Sequence, residues 1–295
     1  MIVKKTLKSL NEIQPEPVTG LDFGEDDNPN FKKRTVLGIP VFPSSPVPVL
    51  KFVQKYSTWP MSVYFPLHAI NTLIIPLFDP NYTPNEVLMM VRQILPSAYV
   101  TAKILVTSLS LHLGAGIIIR GINLWNKRRL KNKTPVRKPD DSQSAIGLTG
   151  GISGYIFGVN KIFEISPQIL SGYILTPLLA YHLFLMVAGP RLVKFDIDFS
   201  FVKWVLQNDN TLIKWVGGII PLSLLVWSGT YHICAGDCQY LSIKDMNNRR
   251  RWSNAITMLI ASGLFSLYRL SRSSSGLLSS KQFSEVFKIL NFIKV

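Results

Sequence analysis

Residues 99–125 read YVTAKILVTSLSLHLGAGIIIRGINLW, and this stretch decides the fold. A helical span needs ~20 mostly apolar residues at ~1.5 Å per residue, and this run is long enough to cross a bilayer. Near its middle stands His112. Gly116 follows one helical turn later and Arg120 a turn after that, all on one stripe. A histidine at membrane depth is costly without a partner, so it marks a functional position. Gly116 would leave room for something broad to lie against the helix. Arg120 is placed to hold an anionic group at the interface.

The same theme recurs outward from this stretch. The chain has 295 residues, 47% of them hydrophobic, with a mean hydropathy of +0.23. Apolar stretches at about 61–78, 99–125, 169–189, 215–236 and 252–270 predict an all-α bundle of five transmembrane helices. A soluble globule would have to bury five near-continuous apolar helices, which excludes that class. The net charge of +15 invites a nucleic-acid reading. No RNA- or DNA-binding motif accompanies it, and in a membrane protein such charge marks retained loops and anionic lipid contacts. Cys234 and Cys238 fall on one predicted helix and read as small buried residues rather than a disulfide. The opening MIVKKTLKSLNEI has no apolar core of a secretory signal.

Residues 1–50 are polar, proline-rich and of mixed charge, so they predict a disordered arm. Within it, LNEIQPEPV places Leu10 and Ile13 as apolar anchors beside Pro15 and Pro17, which hold the backbone extended. A pre-extended segment of this kind suits a partner's groove or sheet edge. Pro46-Val47-Pro48 is a second copy that could serve the same way or stiffen the approach to the membrane.

After the first span, Thr83-Pro84-Asn85-Glu86 reads as a capping box that starts a short interfacial helix to about Ile94. Beyond the second span, Lys127, Arg128, Arg129, Lys131, Lys133, Arg137 and Lys138 read as a solvated basic loop. Residues 145–158, AIGLTGGISGYIFG, carry too many glycines for a stable free helix and predict a re-entrant or interfacial piece. The tail, 271–295, places Phe283, Val286, Phe287, Leu290 and Ile293 on one stripe and predicts an amphipathic surface helix.

Lysine and arginine set the orientation. The loops after spans two and four hold thirteen, from Arg120 to Lys161 and from Lys244 to Arg251. The loops after spans one and three hold five between Arg92 and Lys214, Lys103 excluded. The N-terminal arm shares the basic, cytosolic side, and the C-terminus falls on the other.

All four histidines of the chain, His68, His112, His182 and His232, lie one in each of the first four spans. Two accounts follow. In one, each makes a separate helix-to-helix hydrogen bond. In the other, imidazoles from facing helices take both axial positions of haem, two b-type haems in all, with Gly116 and Gly236 giving clearance and Arg120 holding a propionate. Five helices with one histidine on each of the first four resemble the dihaem membrane cytochromes of succinate dehydrogenase and fumarate reductase. That resemblance implies the pairs His68–His182 and His112–His232. Counting depth from the cytosolic span ends instead places His112 with His182 and His232 with His68. The pairing stays open at this point.

A second resemblance covers almost the whole chain. The blocks WPMSVYFPLHAINTLI, NEVLMMVRQILPS, HLGAGIIIRGINLWNK, IGLTGGISGYIFG and ISPQILSGYILTPLLAYH resemble the fungal adapters of the mitochondrial outer membrane that complement loss of an ER–mitochondrion tether subunit. The resemblance implies five spans, a cytosolic N-terminus and a role in mitochondrial lipid homeostasis at membrane contact sites. It also implies recruitment of a bridge-like lipid-transfer protein of the vacuolar-protein-sorting class. The recruiting element in that family is a PxP motif, matched here by Ile13, Pro15 and Pro17, with Gln14 where a further proline is expected. The expected function is therefore a non-enzymatic membrane adapter, and the alternative a haem cytochrome. No flavin or nicotinamide motif is present, so a redox role would need a partner subunit.

Overall fold

The computed structural model describes residues 35–36, 39–40, 46–131, 166–243, 245–274 and 280–290. The motif at Leu10, Ile13, Pro15 and Pro17 and the glycine-rich stretch 145–158 lie outside them. The described residues are helical apart from a two-residue antiparallel pair, β1 (Thr35–Val36) with β2 (Ile39–Pro40).

Four helical stretches are long and apolar enough to cross a membrane: Val47–Phe78, Ala98–Asn126, Pro167–Leu192 and Leu212–Tyr240. Only 11% of the best apolar window is buried within the protein in the second and third of these. Surfaces this apolar and this uncovered need lipid around them.

The first stretch starts earlier than the composition suggests. It is built from α1 (Val47–Tyr56), α2 (Trp59–Ala69), a π-helical segment π1 (Ile70–Ile74) and α3 (Ile75–Phe78). Pro46 and Pro48 sit at the cap and first turn of α1 rather than in a free extended ligand. Proline suits that position because a first-turn N–H has no intrahelical acceptor. The arm therefore ends before 47, and the second PxP copy is a helix start.

α4 (Thr83–Ile94) follows where expected, but a capping box does not start it. The Asp79 carboxylate accepts from the Asn81, Tyr82 and Thr83 amides and from the Thr83 hydroxyl. A charged acceptor four residues upstream replaces the Thr–Glu exchange. α5 (Ala98–Lys131) carries the opening stretch and runs on through Lys127–Lys131, so the basic run begins as helix. Cations at a helix C-terminus complement its dipole.

The third stretch comprises α6 (Pro167–Leu183), π2 (Phe184–Ala188) and α7 (Gly189–Leu192). After α8 (Phe199–Gln207), the fourth comprises π3 (Leu212–Ile219) and α9 (Ile220–Tyr240). Cys234 and Cys238 on α9 are both free thiols.

The expected fifth span is α10 (Met246–Arg272), at 27 residues about 40 Å long. It is less apolar than the other four, because Asn247, Asn248 and Arg249–Arg251 occupy its first turns. Its buried stripe of Ser253, Ile256, Ile260, Gly263, Ser266 and Leu270 packs between the other helices. A Cβ at Gly263 would meet Leu73 and Val226 side chains, both at 2.7 Å. The Ser266 hydroxyl donates to the Leu73 carbonyl at 2.8 Å, and Arg269 donates to the Leu77 carbonyl at 3.1 Å. These donors meet carbonyls at a π turn and around Pro76, where the regular helical ladder is interrupted.

The tail helix α11 (Ser280–Lys288) departs from the surface reading. Phe283, Val286 and Phe287 are fully buried against Leu185, Phe201, Val205 and Ile213. The stripe is as expected, but its partner is an aromatic cluster of the protein itself.

Candidate functional site

The site begins with the histidines. The structure brings His68 to His182, ring centroids 6.1 Å apart, and His112 to His232 at 6.2 Å. This is the pairing implied by the cytochrome resemblance, and it overturns the depth count. For His68 the error lay in the span's start, which the structure puts at Val47 and not near Met61. From the opposite ends the depths of His68 and His182 agree, since His68 precedes Phe78 and His182 precedes Leu192 by the same ten residues. His112 and His232 stand fourteen and twenty residues from Ala98 and Leu212, so their pairing is read from the ring contact and not from counting.

Each ring of the His112–His232 pair is held by a carbonyl. His112 Nδ1 lies 3.0 Å from the Gln54 carbonyl oxygen, and His232 Nδ1 lies 3.1 Å from that of Gln168. A carbonyl only accepts, so each ring donates from Nδ1 and keeps its lone pair on Nε2. His232 Nδ1 also meets the Ser171 hydroxyl at 3.2 Å. In the other pair, Tyr64 stacks on His68 at 5.5 Å. His182 Nδ1 is buried without a hydrogen-bond partner among the described residues.

The glycines are placed differently from expectation. A Cβ at Gly116 would meet the Gln54 side-chain amide at 2.9 Å, and one at Gly236 would meet that of Gln168 at 3.2 Å. Both clearances are thus filled by glutamine rather than left for a macrocycle edge. The glycine that accommodates a histidine is Gly172, where a Cβ would stand 2.8 Å from the His232 ring. Arg120 is half-buried, two turns along α5 from His112.

Gln54 and Gln168 are the residues that sequence reasoning missed, and an internal repeat would have found them. Gly172 belongs to the Ser171-Gly172 patch, small enough for close helix contact, and has Thr58 opposite it in the repeat. A shift of 114 residues lays Gln54, Ser57, His68 and Pro76 on Gln168, Ser171, His182 and Pro190. The same shift lays π1 on π2 and α3 on α7. A shift of 120 lays Leu105, Val106, Ser108, His112, Ala115 and Gly116 on Leu225, Val226, Ser228, His232, Ala235 and Gly236. The chain is two copies of one unit: a span bearing Gln and His, a short helix, then a span bearing His-x-x-x-Gly. Each histidine pair joins equivalent positions of the two copies.

The main helix packing is within units, α1 with α5 and α6 with α9, while α10 packs against both units. Among the described residues, no span of the first unit packs extensively against a span of the second. The histidine rings meet across that division.

Such a duplicated multi-pass helical bundle, with paired intramembrane histidines, defines an integral membrane protein without a soluble catalytic domain among its described residues. The family model for the MDM10-complementing protein 1 transmembrane domain matches residues 63–164 and 177–273, and the chain belongs to this family. It is 43% identical over 298 residues to the mitochondrial adapter protein MCP1 of Saccharomyces cerevisiae, covering 96% of this chain and 98% of that one. No solved structure matches.

Proposed function

We propose that the chain is a multi-pass adapter of the mitochondrial outer membrane. It recruits a bridge-like lipid-transfer protein of the vacuolar-protein-sorting class through its N-terminal arm, and it is not an enzyme. The observation that carries this reading is the near-full-length identity to a protein named a mitochondrial adapter. The arm supplies the means: Leu10, Ile13, Pro15 and Pro17 precede the first span in the sequence, and a proline-spaced segment with apolar anchors suits a groove or sheet edge. The bundle anchors the contact and exposes its apolar surface to membrane lipid, in support of lipid homeostasis at contact sites.

In this reading α10 is a fifth crossing. It begins just after the end of α9, and its last carbonyls reach Gln207 in α8 at 2.9 and 2.6 Å. α8 precedes α9's span and the end of α9 lies across the membrane from it, so a helix joining the two traverses the bundle. With the basic loops in the cytosol, the arm is cytosolic and the tail lies in the intermembrane space.

The test is Pro15→Ala with Pro17→Ala in the full chain. The variant should reach the membrane normally and lose recruitment of the lipid-transfer protein to mitochondria. Unchanged recruitment would remove the motif assignment. Protease added to intact mitochondria should cut within the arm and between Lys127 and Lys138; protection there would reverse the topology.

A further inference from the structure

The paired histidines do work that an adapter's anchor does not require. Four intramembrane imidazoles are costly, and single hydrogen bonds between membrane helices return little of that cost. We propose that His112 and His232 are the two axial ligands of an iron porphyrin held between the two units, and that His68 and His182 form a second, equivalent site.

Three observations carry this. First, two imidazoles trans on one iron, with metal–nitrogen bonds of about 2.0 Å, hold their ring centroids roughly 6 Å apart. The pairs stand at 6.1 and 6.2 Å. Packed aromatic rings also fall in this range, so distance alone does not decide. Second, His112 and His232 both turn Nδ1 to a backbone carbonyl, at 3.0 and 3.1 Å. Fixing the tautomer this way, with a bond that orients the ring, is how proteins prepare Nε2 for a metal. The other pair lacks this carbonyl: His182 Nδ1 is buried without a hydrogen-bond partner among the described residues. Third, the rings meet where spans of the two units do not pack extensively against each other, and a planar group needs such a division. When bound, the porphyrin would supply a low-spin iron centre and tie the two units together through their equivalent helices.

The fit has limits set by the same contacts. Gln54 and Gln168 occupy the space beside Gly116 and Gly236, so those glycines do not line the macrocycle.

The experiment uses full-length protein purified in detergent from haem-replete cells. It should show a Soret band, a sharp reduced α-band of bis-imidazole iron and two haems per chain by pyridine haemochrome. The His112 and His232 rings lie at 82° to one another, so the ferric protein should give the strongly anisotropic low-spin resonance of near-perpendicular imidazoles. His112→Ala and His232→Ala should each remove one haem, and His68→Ala and His182→Ala the other. His112→Met guards against simple misfolding: it should keep iron, with the altered spectrum and raised potential of thioether–imidazole ligation. A monodisperse, helical preparation without colour would overturn the proposal. So would full haem content in both His112→Ala and His232→Ala.

Discussion

The two units are alike at their histidines and unlike at their outer ends. In the second, α8 presents Phe201 and Val205 to the tail helix, and both are covered to 2% exposure or less. In the first, the corresponding helix α4 leaves Met89, Met90 and Ile94 more than half exposed. Near the histidines the asymmetry is finer. Gly172 yields its space to the His232 ring, whereas the equivalent position in the first unit is Thr58. His232 therefore meets both the Gln168 carbonyl and the Ser171 hydroxyl, while His112 meets the Gln54 carbonyl and the Ser108 hydroxyl turns to the Ser57 carbonyl. Duplication thus preserved the features that set the ring positions and let the surroundings diverge. The second unit became the one clamped by the tail.

Removing that clamp should produce the largest change. Phe287 is fully buried, and Phe→Ala in a core costs ~3–5 kcal/mol. Phe287→Ala should free α11 and expose the Phe201 cluster, read as fast proteolysis after Lys281 and Lys288 in detergent. An α11 held mainly by lipid would give the same proteolysis with and without the substitution. The equivalent change on α4, Met90→Ala, should alter little, because that face has no protein cover.

The next effect belongs to Gly172. A Cβ there would stand 2.8 Å from the His232 ring, so Gly172→Ala should push the imidazole away from Gln168. Overpacking of this kind costs ~1–3 kcal/mol. Thermal unfolding of the purified variant should fall accordingly, while Thr58→Ala, at the equivalent position, should leave it nearly unchanged. Equal losses from the two substitutions would mean that the units are not packed as differently as the geometry indicates.

How much of this could be read beforehand follows from what each signal depends on. The four spans were legible because length and apolarity suffice for them. The first span's start was not, because Pro46 and Pro48 read equally as a linker and as a first helical turn. That displaced end misdirected the depth count for His68. The tail stripe of Phe283, Val286 and Phe287 was legible, but a stripe does not say whether lipid or Phe201 covers it. Gln54 and Gln168 act through their backbone carbonyls as well as their side chains, so residue type alone gave no hint of their role. Only their identical spacing, fourteen residues before His68 and His182, carries the signal. The recruiting motif was read wholly from residues 10–18 and from resemblance.

The smallest expected effect separates the loops that follow the first span of each unit. Asp79 caps its loop with four bonds, and the equivalent residue in the second unit is Val193. There Asp198, later in the loop, accepts from the Ser200 amide and starts α8 instead. The bonds from the Asn81 and Thr83 amides and the Thr83 hydroxyl hold the Asp79 carboxyl well below the usual carboxylate range. A group whose folded value is depressed stabilises fully above its unfolded value, ~3.9, and loses that contribution as pH falls toward the folded one. At neutral pH the cap is intact. Acidification should therefore destabilise the wild-type loop only below about pH 4, within the window that the depressed value defines. Asp79→Asn removes the charge, so its loop should be slightly less stable at neutral pH and should show no such step. Limited proteolysis between Phe78 and Thr83, followed from neutral pH downward with an acid-active protease, measures both. Parallel profiles for wild type and Asp79→Asn would show that the α4 cap does not depend on the charge of the carboxylate.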